Sequence, residues 1–150
     1  MRPAILALDL EGTLISNAVS QIPRPGLRQF LESVRAEFDQ LVMFTTVPEA
    51  RVRPIARLLV EEGHAPGWFR DLAYIRWTGS TKDLRLVSAE LGNALLLDDH
   101  RSYVHPGQEA YWIEAPHFAA PYAQEDTGLR EALALIKQYL SPSRPISERP

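Results

Sequence analysis

Short apolar runs alternate with helix-spaced apolar stripes along the whole chain, and this alternation restricts the fold more than any other feature of the sequence. Ala4-Ile5-Leu6-Ala7-Leu8 is apolar at every position, as a strand covered on both faces requires. Leu41-Val42-Met43-Phe44, Ala73-Tyr74-Ile75, Ala94-Leu95-Leu96-Leu97 and Ala110-Tyr111-Trp112-Ile113 read as four further strands. Between and after them lie helical stripes. Leu27, Phe30, Leu31, Val34 and Phe38 form the first, with Pro25 placed where an opening helical turn tolerates it. Val52, Ile55, Leu58 and Leu59 form the second, closed near Gly63. Leu84, Val87 and Leu91 predict a helix ended by Gly92-Asn93, and Leu129, Leu133, Ile136 and Leu140 predict the last. Strands alternating with helices in this way predict an α/β domain: a Rossmann-like parallel sheet in three layers, with helices on both faces.

Size and composition agree with one folded unit. The 150 residues are 45% apolar, with no internal repeat. We expect a domain over residues 1–140 and a flexible tail over 141–150, where three prolines and two arginines show no apolar pattern. A net charge of −3 gives no overall basic field for nucleic acid or an acidic membrane. Cysteine is absent, so thiol chemistry and thiol ligands are excluded. No stretch reaches the roughly 20 apolar residues of a membrane span, and Asp9 and Glu11 interrupt the first apolar run too early for a secretory leader. A cytoplasmic protein is the expectation.

In such sheets ligands bind beyond the carboxyl ends of the strands, where the winding reverses. Residues of chemical interest stand at three of those ends. After the first strand, Asp9-Leu10-Glu11-Gly12-Thr13-Leu14 combines a candidate nucleophile, a second carboxylate and a glycine turn whose amides could face phosphoryl oxygens. A plain strand-end turn accounts for the same residues about equally well. After the second, Thr45 offers a hydroxyl, while Thr46 and Glu49 have capping-box spacing with Pro48 in the first helical turn. After the fourth, Asp98-Asp99 ends a leucine run, where two adjacent carboxylates need a compensating cation; a hard divalent ion is the natural one. Lys82 is placed in the opening turn of the helix over Leu84–Leu91, against the macrodipole, where an exposed lysine is also a common accident.

Taken together, these residues resemble the four motifs of the haloacid dehalogenase superfamily, in order. The pattern is more similar to the small phosphatases of the RNA polymerase II C-terminal domain and their bacterial relatives. Arg24-Pro25-Gly26-Leu27 with Phe30-Leu31, Phe44-Thr45, Phe69-Arg70, Lys82-Asp83-Leu84 and Leu97-Asp98-Asp99 carry it, over about residues 4 to 104. The resemblance implies strand order 3-2-1-4-5 and Mg²⁺ as cofactor. It implies that Asp9 forms an aspartyl-phosphate, that Glu11 is the general acid and base, and that Gly12, Thr45, Thr46 and Lys82 bind the phosphoryl group. Asp9, the Glu11 backbone carbonyl, Asp98 and Asp99 would hold the metal.

This chain departs from the pattern at two places. Glu11 stands where an aspartate is usual, as in members resembling enolase-phosphatase, and His100-Arg101 replaces the small pair that follows the acidic dipeptide. The short spacings after the first and second motifs leave no room for a cap domain. An open site suits a phosphoprotein or another large phosphorylated substrate, with a second subunit as an alternative cover. Hydrolysis of a small metabolite or a nucleotide end is the rival activity, and a catalytically silent binding module the rival class.

Overall fold

A computed structural model describes residues 2–141. Five parallel strands form one sheet: β1 Ile5–Leu8, β2 Gln40–Met43, β3 Ala73–Tyr74, β4 Ala94–Asp98 and β5 Trp112–Glu114. Their order is β3-β2-β1-β4-β5, as expected. Three α-helices accompany them: α1 Leu27–Glu37, α2 Glu49–Glu61 and α3 Gly128–Leu140. The tail expected to be flexible falls, beyond Ser141, outside the described residues. Among the described residues no helix is long and apolar enough to cross a membrane.

The strand order dictates which face each connection covers. The chain steps from β1 to β2 to β3 in one direction, then returns over β1 to β4 and β5 in the other. Right-handed crossovers of opposite direction lie on opposite faces. Leu6, Leu8, Leu41, Met43, Leu95 and Leu97 accordingly pack against α1, α2 and α3 on the first face. Ala7, Val42, Phe44 and Leu96 face the second, where Leu84, Val104, Trp77 and Val87 cover them from irregular segments and single 3-10 turns.

The helix expected over Leu84–Leu91 is therefore corrected: only Leu84–Leu86 turns, as a 3-10 helix. Its opening amides are taken from outside. Gln108 Oε1 accepts from the Leu84 N–H at 2.8 Å, and the Asp83 carboxylate accepts from the Arg85 N–H at 2.9 Å. Leu91, read as a core position, is exposed. Likewise β5 begins two residues later than expected, after a 3-10 turn over Glu109–Tyr111. The capping box at α2 does not form either. Glu49 is the first helical residue, and its carboxylate binds Arg53 and Arg76.

An ion pair made by the buried Arg24 ties the loop before α1 to the start of α3. Arg24 is 1% exposed; its Nε and Nη2 donate to Asp126 at 2.7 and 3.3 Å, and its Nη1 donates to the Thr13 carbonyl at 3.2 Å. Its guanidinium also lies over the Phe118 ring, 5.2 Å from the centroid. A Cβ added at Gly128 would overlap this guanidinium. With its partners on three sides, the arginine cannot swing away cheaply. Gly128→Ala should therefore destabilise the fold by about 1–3 kcal/mol despite the ordinary preference for alanine in helices, lowering Tm by several degrees in a thermal melt.

Candidate active site

Register brings the first and fourth strand ends together. Leu8 pairs with Leu97, so Asp9 and Asp98 emerge side by side at the switch point, on the parity that faces the second side of the sheet. The Asp9 N–H donates to the Leu97 carbonyl at 3.0 Å. Met43 pairs with Leu8 on the other flank, so Phe44 and Thr45 leave β2 beside the same loop.

Lys82 arrives from the second face and is fully buried; the helical turn expected around it is what the structure corrects, and the bland alternative of an exposed lysine does not hold. Its N–H donates to the Tyr103 carbonyl at 2.7 Å, and Gln108 holds the turn that follows. Its Nζ donates to Asp9 Oδ1 at 2.9 Å and to Asp98 Oδ2 at 2.5 Å, with the Tyr103 ring 5.2 Å away. Burial alone would favour a neutral amine, but Asp9 and Asp98 outweigh it and hold the Lys82 pKa above its usual value.

Asp9, Asp98 and Asp99 place one oxygen each within 4.8 Å of one another. Thr13 Oγ1 lies 2.9 Å from Asp9 Oδ2 and 3.0 Å from Asp99 Oδ1, and a hydroxyl has one proton for the two. Burial pushes the Asp9 carboxyl well above its usual pKa; Lys82 pulls against that shift and Asp98 adds to it. Burial also raises Asp98, against the opposing pull of Lys82. For Asp99, burial is outweighed by hydrogen bonds with Asp9, His117 and Thr13, and its pKa falls. Fully ionised, the three carboxylates would leave two negative charges uncompensated by the one ammonium. An all-oxygen donor set with that deficit fits a hard divalent cation.

The remaining expected residues sort into different parts. Thr45 is buried, and its Oγ1 accepts from the Val47 N–H at 3.1 Å, which leaves the hydroxyl proton free to donate. Its carbonyl accepts from Trp77 Nε1 at 2.8 Å. Thr46 is exposed at the rim. Glu11 Oε2 accepts from the Ala18 N–H at 2.6 Å, and the Glu11 carboxylate is not part of the three-oxygen cluster. Gly12 is corrected as a phosphate donor, because its N–H already donates to the Ile15 and Ser16 carbonyls at 2.8 and 3.2 Å. It serves the loop through a φ of 74° and a missing side chain: a Cβ there would stand 2.6 Å from Asp99 Oδ2.

His100 caps the 3-10 turn over Arg101–Tyr103, its Nδ1 accepting from Ser102, and Arg101 lies over Trp112. Two site residues escaped the sequence reading. Thr13 stood inside the quoted motif, but a lone threonine in a turn signals no chemistry. His117 lies beyond β5, in a region without motif spacing.

Removing the ammonium should show how far it holds these carboxylates in the fold. Lys82→Met should cost about 3–5 kcal/mol, as expected for breaking a buried pair. The loss should grow with pH. Asp9 and Asp98 have raised folded pKa values, so their contribution is complete below the unfolded carboxylate pKa of about 3.9 and is lost as pH rises through the folded values. Without Lys82 those values rise further. Melting curves without metal between pH 5 and 8 should show Tm falling more steeply with pH in the variant than in the parent.

Solved structures share this architecture. Fission yeast RNA polymerase II CTD phosphatase Fcp1, an Arg-to-Ala variant bound to beryllium fluoride, is 16% identical with a TM-score of 0.55; the match covers 92% of this chain and 50% of that one. This chain thus spans half the length of that protein. A second solved structure, 15% identical with a TM-score of 0.55, covers 92% of this chain and 83% of its own. No curated protein sequence matches. The profile of the NLI interacting factor-like phosphatases matches residues 4–146, so nearly the whole sequence, from the start of β1 past α3, places this chain in that family.

Proposed function

We propose that the protein is a Mg²⁺-dependent phosphomonoester hydrolase that works through an aspartyl-phosphate on Asp9. The observation that carries this reading is the placement of Asp9 at the switch point, hydrogen-bonded by Lys82 and Thr13 beside two further acids. Asp9, Asp98 and Asp99 would hold the cation, which supplies the charge neutralisation that lets a phosphate dianion approach three carboxylates.

The protein's own groups divide the remaining work. An Asp9 oxygen attacks phosphorus as the bond to the leaving oxygen breaks, and Glu11 gives that oxygen its proton. Glu11, now ionised, then takes a proton from water; the water oxygen attacks phosphorus, inorganic phosphate departs and Asp9 is restored. The Ala18 N–H fixes one Glu11 oxygen, leaving the other for the proton. Arg51 in turn holds the Ala18 carbonyl at 3.1 Å, steadying that loop. Lys82 and the Thr45 hydroxyl bind the phosphoryl oxygens, where positioning and charge dominate the chemistry. Exposed Thr46, next to Thr45, would join it in binding the phosphoryl group.

The substrate we assign is a phosphorylated polypeptide. Residues 15–24 form only a tight loop, and α2, one 3-10 turn and β3 account for the chain from β2 to Lys82, so neither stretch holds a cap domain over the strand ends. The similar fission yeast protein is an RNA polymerase II CTD phosphatase.

Hydrolysis of a generic aryl phosphate should require Mg²⁺ and stop in excess EDTA; full activity under chelation would remove the metal from the mechanism. Asp9→Asn should melt as a folded protein yet show no turnover, since an amide cannot form the acyl-phosphate. Glu11→Gln should slow hydrolysis of an alkyl phosphate by ~10²–10⁴-fold and that of an activated aryl phosphate much less, because only a poor leaving group needs the proton. Equal losses on both substrates would show that Glu11 does something else.

A further inference from the structure

The segment after β5 is laid across both catalytic loops. The Ala115 N–H donates to the Asp98 carbonyl at 3.1 Å, and the Phe118 N–H donates to the Gly12 carbonyl at 2.8 Å. Between these two clamps His117 presents Nδ1 at 2.6 Å from Asp99 Oδ2, although its side chain is 62% exposed. Exposed histidines ordinarily keep their rotamer freedom, whereas this one is held at both ends of its segment and at its ring.

The other half of the arrangement lies in the first loop. Thr13 Oγ1 stands at Asp99 Oδ1 but shares its one proton with Asp9, so His117 on Oδ2 is the second hold on the Asp99 carboxylate. Any side chain at residue 12 would displace this contact, since its Cβ would stand 2.8 Å from His117 Nδ1 as well as against Asp99. With Asp99 ionised, the imidazole carries its proton on Nδ1 and donates it.

We infer that His117 is a positioning residue for the metal site, orienting the Asp99 carboxylate so that the three acids converge on one cation. The inference rests on the reading that Asp9, Asp98 and Asp99 hold a divalent ion. Groups that orient a metal-binding side chain typically change affinity by about 10–100-fold when removed. His117 touches no reacting atom in this assignment; it acts on the metal through Asp99.

Calorimetric titration of the full chain with Mg²⁺ alone tests this without relying on turnover. His117→Ala should weaken Mg²⁺ binding ~10–100-fold. His117→Asn should recover most of the loss, because its amide nitrogen sits at the same branch position as Nδ1 and can donate. The kcat of His117→Ala on an aryl phosphate should return towards the parent value as Mg²⁺ is raised. Equal affinity in parent and His117→Ala would overturn the inference, as would affinity in His117→Asn no better than in His117→Ala. A parent that binds no Mg²⁺ would overturn the metal reading itself and this inference with it.

Discussion

A single ammonium group, Lys82 Nζ, makes the chemistry of this fold compatible with its stability. It donates to both Asp9 and Asp98, in a place where neither carboxylate has much water. Isolated buried carboxylates would take up protons, and a protonated Asp9 is no nucleophile. One positive charge cannot balance three acids, so the protein is left short of cation by an amount a divalent ion would fill. The burial that crowds Asp9 and Asp98 together makes the site electrostatically costly, so a bound cation would stabilise the folded state.

The sheet creates that meeting place by topology. Reversal of direction between β1 and β4 sends one connection to each face, and the gap between the two strand ends opens over Asp9 and Asp98. The first face carries all three α-helices and most of the core. The second carries Lys82. Arg24 adds a link from behind, because it grips the carbonyl of Thr13, whose hydroxyl stands between Asp9 and Asp99.

Much of this was legible from residue order alone, and the exceptions have physical causes. Continuous apolar runs identified β1, β2 and β4 because strands covered on both faces carry no polar alternation. Asp9 and the Asp98-Asp99 pair were visible because ionisable groups at the end of a buried run demand an explanation. Lys82 was found but misplaced. Its stripe of Leu84, Val87 and Leu91 imitates a helix, but the chain leaves the turn after Leu86 and Leu91 is exposed rather than packed on the sheet. Gly12 was assigned an amide donor that the loop spends internally on Ile15 and Ser16. Thr13, His117 and the Arg24–Asp126 pair depend on contacts between distant segments, which no local spacing records.

The irregular cover of the second face has a consequence for how the enzyme would fail. Lys82 belongs to a segment pinned by a few separate contacts, among them the Tyr103 carbonyl, Gln108, and Thr81 Oγ1 2.8 Å from His105 Nδ1. Such segments open locally at a fraction of the free energy needed to unfold a helix-backed sheet. Each opening withdraws the counter-charge from Asp9 while the sheet and its three helices stay folded. If that opening is easier than global unfolding, inactivation by heat or denaturant would precede loss of secondary structure, and the least regular layer would set the working lifetime.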